Sequence, residues 1–93
     1  MSHLPLSDYR KTYINTATTT QVATGKCRLI AIVVNATAAG TIGIIDNTSG
    51  STVNVGQLKA SVVEGTYLFN CAMDAGIRIV TAAASDITVI WDK

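Results

Sequence analysis

The sequence predicts an all-β protein, a single-domain antiparallel β-sandwich or jelly-roll-like fold of seven or eight short strands. Bulky apolar residues recur at every second position in several stretches, which is the spacing of strands with one buried face. Turn-forming residues separate these stretches at intervals of about ten residues, as in sandwiches and jelly rolls. No window keeps the i, i+3, i+4, i+7 spacing of an amphipathic helix.

The N-terminus is predicted to lie outside the sandwich, with residues 1–11 an arm or tail and residues 12–93 the folded domain. The only proline stands between Leu4 and Leu6, and a residue without an amide hydrogen is excluded from a central strand. This segment is either a frayed terminus or an arm that lays Leu4, Leu6 and Tyr9 on a neighbouring subunit.

The next segments read as strands of different exposure. Tyr9–Thr24 is threonine-rich and suits a partly exposed strand. Cys27–Asn35 is the most apolar stretch, and simple alternation places four of its side chains on one face: Arg28, Ile30, Ile32 and Val34. Both faces are largely apolar, so this strand is expected to be central and covered on both sides, or on one side by another subunit.

Two further strands are expected over residues 41–46 and 51–58. They are separated by Asp-Asn-Thr-Ser-Gly, a strong turn sequence in which Asp and Asn bond their own backbone and Gly accepts a positive φ.

The last third, Gly65–Trp91, has the clearest alternation and the largest side chains. One side of its first strand carries four of them: Tyr67, Phe69, Cys71 and Met73. Asp-Ala-Gly and Ala-Ala-Ser-Asp are reversal sequences, so three consecutive strands are predicted to form a meander.

Composition favours a chain whose surface is partly covered. Of the 93 residues 48% are hydrophobic and only 14% charged, against about a quarter charged in ordinary domains. A domain of this size has a marginal core, so association with copies of itself or with a partner is expected. The alternative is that Thr, Ser, Asn and Ala supply enough weakly polar surface.

Charge and hydropathy argue against several partners. The formal net charge is +1 with no basic run, which gives no support for nucleic-acid binding. The longest apolar run, Leu29–Val34, is too short to cross a bilayer, and the N-terminus lacks the pattern of a signal peptide. We therefore expect no membrane contact and assembly in the host cytoplasm.

Catalytic and metal-binding motifs are not apparent. His3 is the only histidine, so a nucleophile with its base cannot be assembled. Four acidic residues, Asp46, Glu64, Asp74 and Asp86, fall in turns, where such residues usually bond nearby backbone. Cys27 and Cys71 are expected to be free thiols acting as small hydrophobes, with a disulfide between facing strands as the alternative. We predict no enzyme activity, no cofactor and no metal site.

Two long stretches resemble a group of small bacteriophage structural proteins. Residues 12–50 read TYINTATTTQVATGKCRLIAIVVNATAAGTIGIIDNTSG and residues 65–91 read GTYLFNCAMDAGIRIVTAAASDITVIW. The first is similar to the opening of that group, a Thr-rich strand followed by an apolar strand and a strand closed by Asp-Asn-Thr-Ser-Gly. The second is similar to its ending. The resemblance implies a β-sandwich virion component, with capsid decoration or cement as the expected role.

The sequence-based hypothesis is a non-enzymatic decoration protein that binds and stabilises the major capsid lattice on the virion surface. Many copies of modest affinity gain from multivalent attachment. A homo-oligomer, preferably a trimer, is expected, with the interface drawn from seven residues: Leu4, Leu6, Tyr9, Arg28, Ile30, Ile32 and Val34. The alternative is a tail, head–tail or fibre-base component that binds glycans, for which Trp91 is the one good stacking side chain.

Overall fold

The computed structural model describes residues 9–93 and folds them into eight strands without a helix. In chain order these are β1 (Arg10–Ile14), β2 (Thr18–Thr24), β3 (Cys27–Ala36), β4 (Ile42–Ile45), β5 (Gly56–Leu58), β6 (Gly65–Met73), β7 (Gly76–Thr81) and β8 (Asp86–Asp92). β1 begins at Arg10, two residues before the domain boundary expected at Thr12.

The strands form two four-stranded antiparallel sheets that pack face to face. Sheet A has the order β1-β8-β3-β6 and sheet B the order β2-β7-β4-β5. β1 pairs with β8, β2 with β7, β3 with β6 and β4 with β5. The chain is thus one long hairpin, strands 1–4 against strands 5–8, rolled so that successive strands alternate between sheets except at its tip, where β4 and β5 pair in sheet B. This is jelly-roll topology, and the predicted all-β sandwich is confirmed.

The core lies between the two inner faces and is aliphatic. Eight of its side chains have no exposed surface: Leu29, Ile32, Ile42, Ile44, Ile77, Ile79, Ile87 and Val89. Both sheets contribute to this set. Since burying such a side chain stabilises a fold by about 1.5–3 kcal/mol, neither sheet is stable without the other.

The expected meander of the last three strands is wrong. β7 lies in sheet B between β2 and β4, whereas β6 and β8 lie in sheet A on either side of β3. The predicted single strand over Tyr9–Thr24 is likewise two strands in different sheets. Alternating apolar residues and a tight turn are found both where a chain pairs with its preceding strand and where it crosses to the opposite sheet. Here the chain crosses, because both inner faces must be buried against each other.

The segment from residue 51 to 58 is also more irregular than expected. Only Gly56–Leu58 is strand, because the preceding residues belong to a loop that folds back over sheet B.

The predicted faces of β3 are wrong from its middle onward. The register of β3 shifts between Leu29 and Ala31 against both β6 and β8. A β-bulge of this kind changes which residues face inward. Arg28 is exposed and Ile30 half-buried, but Ile32 and Val34 lie in the core with 0% and 2% of their surface exposed.

No helix in residues 9–93 has the length and apolar character needed to cross a membrane.

Candidate functional site

The outer face of sheet A carries a bare apolar surface, which we call the outer patch: Tyr13, Ile30, Val33, Leu68 and Ile90. Leu68 is 78% and Tyr13 58% exposed, and the other three are half-buried and lie outside the core cluster. The strand register brings them together.

Cross-strand pairing builds the patch in two rows. Ala31 lies opposite both Leu68 and Ile90, which forms an apolar row across three strands. In the next row Val33 lies opposite Thr66 and Thr88. Directly opposed residues of antiparallel strands share a face, so Val33, Leu68 and Ile90 lie on one face of sheet A, where Lys11 of β1 lies opposite Ile90.

Polar side chains frame one end of the patch. Asp86 accepts hydrogen bonds from the Tyr13 hydroxyl at 2.6 Å and from the Asn35 amide at 3.1 Å. The hydrogen bond from Tyr13 to the Asp86 carboxylate raises the pKa of Tyr13 above its usual value, because deprotonation would set two anions together. Tyr13 is therefore a neutral, fixed member of the surface.

The other end of the patch is bounded by an ion pair. The Arg28 guanidinium lies 3.4 Å from the Asp92 carboxylate, and Arg28 remains about half exposed. Its partner Asp92 is only 10% exposed, so the pair lies at the boundary between solvent and the fold. Arg28 therefore adds a partly neutralised charge at the border of the patch.

The outer face of sheet B is covered by the loop of residues 46–55, in which Val53 and Val55 are each 37% exposed. Gly43 lies beneath this loop on the outer face of the sheet. A Cβ added to Gly43 would lie only 2.7 Å from the Val53 side chain. Arg78 Nε donates to the Gly50 carbonyl at 2.7 Å, and Gln21 Nε2 donates to the Asn47 carbonyl at 2.9 Å. The loop is tied down along its length, so the two outer faces of the sandwich differ.

Asp46 holds the start of this loop. Its carboxylate accepts backbone amides from Asp74, Ala75 and Gly76 at 2.9, 2.8 and 3.2 Å. These amide hydrogen bonds hold the pKa of Asp46 below its usual value. At the other end of the loop, Asn54 Oδ1 accepts from the Asp46 amide at 2.7 Å.

The expected interface residues are separated by the fold. Arg28 and Ile30 lie on the outer face, Tyr9 is half-buried just before β1, and Ile32 and Val34 are internal. Leu4 and Leu6 lie outside the described residues. The interface itself stays a prediction.

The fold of residues 9–93 contains no pocket and brings no three His, Cys, Asp or Glu side chains together. Cys27 and Cys71 are free, and burial raises the pKa of both thiols, which disfavours the reactive thiolate. Cys27 lies opposite Met73 and Cys71 opposite Leu29, so the two cysteines are not directly opposed.

Trp91 is engaged within the domain. It packs against the core, its Nε1 donates to the Thr12 hydroxyl at 3.3 Å, and the Arg10 guanidinium lies 5.5 Å from the ring centroid. A ring occupied in this way is a poor platform for stacking a sugar.

Sequence reasoning missed Tyr13, Val33, Leu68 and Ile90 as surface residues. The signal for Leu68 was present, because it alternates with Tyr67 and Phe69, which were placed on the inner side. Val33 was assigned to the face opposite Ile30, and only the register shift brings both outward.

Comparisons with protein-family models, with curated proteins and with solved structures gave no match.

Proposed function

We propose that this protein is a non-enzymatic structural component of a bacteriophage virion, a decoration or cement protein that docks on the major capsid lattice. The observation that carries the proposal is the difference between the two outer faces. Sheet B is covered by its own loop, whereas sheet A exposes the outer patch. Contiguous exposed apolar surface rimmed by polar residues is typical of protein-binding sites.

The virion assignment is supported by the sequence resemblance of residues 12–50 and 65–91 to small phage structural proteins. The low charge of the chain, 14% of its residues, fits a protein held between other proteins. A rigid sandwich loses little conformational entropy when it docks. Attachment of many copies to a repeating lattice gives strong overall binding even if each copy binds with modest affinity.

The test is co-sedimentation of the purified protein with empty capsids of the encoding phage assembled without it. We expect saturable binding, and we expect Val33→Lys to abolish it because the charge is placed at the centre of the outer patch. The matched control is Thr19→Lys, which adds the same charge on exposed β2 of sheet B and should leave binding unchanged.

Capsid docking through sheet A is rejected if the wild-type protein fails to bind capsids, or if both lysine variants bind as well as the wild type. Thermal melts of both variants verify that each is folded.

Attachment at the tail or the head–tail junction is the alternative proposal, since the same surface could serve there. Imaging of virions lacking the protein distinguishes the two, because loss of surface knobs and loss of tails look different. A glycan-binding role is less well supported, since Trp91 is already engaged by Thr12 and Arg10.

A further inference from the structure

The two edges of sheet A are differently protected against pairing with another chain. An edge strand presents unpaired backbone amides and carbonyls, and proteins commonly protect it with lysine, proline or other charge. β1 carries exposed Arg10 and Lys11. β6, the opposite edge, is nine residues long and contains no charged residue and no proline. Only a register shift near Asn70, whose φ is 48°, interrupts it.

The two most exposed large apolar side chains of residues 9–93 lie at this same edge. Leu68 on β6 is 78% exposed, and Val63, two residues before β6, is 73% exposed. The Tyr67 hydroxyl donates to the Val63 carbonyl, which fixes the segment that leads into the strand. An ordered, uncharged edge flanked by exposed apolar groups is suited to receive an extended strand.

We propose that two copies of this chain pair through β6, antiparallel and about a two-fold axis, and join their A sheets into one eight-stranded sheet. An uncharged strand meets its own copy without like-charge repulsion, whereas pairing of β1 with β1 would oppose Arg10 and Lys11. A two-fold contact also closes on itself and leaves no further uncharged edge in sheet A.

The geometry of antiparallel pairing limits the register. Directly opposed residues share a face, and residues of one strand that share a face are an even number of positions apart. The two-fold axis of the dimer therefore passes through a residue of β6 and not between two residues. Upstream of the shift at Asn70 the regular part of β6 is residues 65–68. With the axis at Tyr67, Leu68 of each copy lies opposite Thr66 of the other, and both side chains become buried in the contact.

This pairing differs from the trimer expected from sequence, which relied on a face containing Ile32 and Val34. Those two side chains are in the core of the chain. The pairing concerns purified protein alone and does not depend on the virion role. If that role holds, the joined sheet places two outer patches side by side, which strengthens docking through avidity.

Sedimentation velocity of the full chain over a wide concentration range tests the proposal. We expect a dimer that dissociates on dilution, and we expect Leu68→Lys and, independently, Thr66→Lys to leave only monomer. Both residues are exposed, so the fold should tolerate the changes. Hydrogen exchange of the wild type should show β6 amides that gain protection as concentration rises.

The matched control is Thr19→Lys, an exposed threonine-to-lysine change on the β2 edge of sheet B, which should still dimerise. A wild-type protein that is monomeric throughout, a trimer, or a dimer that survives both β6 variants overturns the inference. So does loss of association in Thr19→Lys, which would place the contact on sheet B instead. Capsid binding by Val33→Lys is scored separately, so the two proposals fail independently.

Discussion

At the scale of single residues, the Asp46 carboxylate connects two distant parts of the fold. Asp46 directly follows β4, begins the loop that covers sheet B, and accepts hydrogen bonds from three amides at the turn between β6 and β7. That turn is where the chain crosses from sheet A to sheet B. One carboxylate therefore joins the crossing to the covering loop, and hydrogen bonds to a charged acceptor are stronger than neutral ones.

Replacing Asp46 with Asn should destabilise the protein by about 1 kcal/mol at neutral pH, since one amide oxygen cannot replace a charged two-oxygen acceptor. The folded-state pKa of Asp46 is lowered, so its stabilisation is present above the unfolded pKa of about 3.9. It is lost as pH falls through the folded-state pKa. Urea unfolding of both proteins from neutral to acid pH should show the difference shrinking in acid.

The control for this measurement is Asp74→Asn, an exposed carboxylate in the same turn. It should change stability by less than about 0.5 kcal/mol, as is usual for surface substitutions. A pH-independent difference between wild type and Asp46→Asn would mean that the side chain acts through shape rather than charge.

At the scale of elements, the register of β3 decides which of its residues face the core and which lie on the outer face. This strand lies between β8 and β6, and its register shift lets both of its halves bury aliphatic side chains. Without the shift, Leu29 and Ile32 would point to opposite faces. The shift therefore adds a core residue and at the same time turns Val33 outward into the outer patch.

Two isoleucines of β3 test this directly. Ile32→Ala should cost about 2–4 kcal/mol, because it removes a fully buried side chain and leaves a cavity. Ile30→Ala, the matched change two residues earlier, should cost less than about 1.5 kcal/mol, because Ile30 is half-buried and outside the core cluster. Equal losses in chemical denaturation would mean that the strand alternates without a shift.

The sequence was sufficient to predict strand segments but not strand partners. Period-two spacing located β3, β6, β7 and β8 closely, and the side of β6 that carries Tyr67 and Met73 does pack on the core. Alternation is a local property, whereas the sheet that a strand joins depends on which distant face it must cover. The bulge near Ile30 was missed for the same reason, since it is a mismatch between neighbouring strands.

For the candidate site, the sequence named four interface residues on β3, and the interface stays a prediction. Arg28 and Ile30 lie on the outer face, whereas Ile32 and Val34 lie in the core and Val33 faces outward. The covered face of sheet B was also unexpected, because residues 51–55 alternate like a strand although the loop uses Val53 to cover Gly43.

At the scale of the whole molecule, one broad face is closed by the chain itself and the other is open. The closing loop hydrogen-bonds to sheet B through Arg78 and Gln21, which places charged and amide groups on that side. The open side offers the outer patch and the uncharged edge of β6. A net charge of +1 from seven basic and six acidic residues gives little long-range steering of any partner.

Association through this side should therefore be insensitive to salt. Raising sodium chloride from physiological concentration to about 1 M shortens the Debye length from about 8 Å to about 3 Å, yet it screens no charge pair on which the apolar outer patch or the β6 edge depends. We expect capsid binding and self-association to change by less than about threefold, and sulfate to strengthen both because it favours burial of apolar surface. Co-sedimentation and sedimentation velocity in parallel salt series measure this. A steep loss of binding with chloride, as charge-steered complexes show, would move the contact from the apolar outer patch and the β6 edge to the charged residues of sheet A, Arg28 and Lys11 first among them.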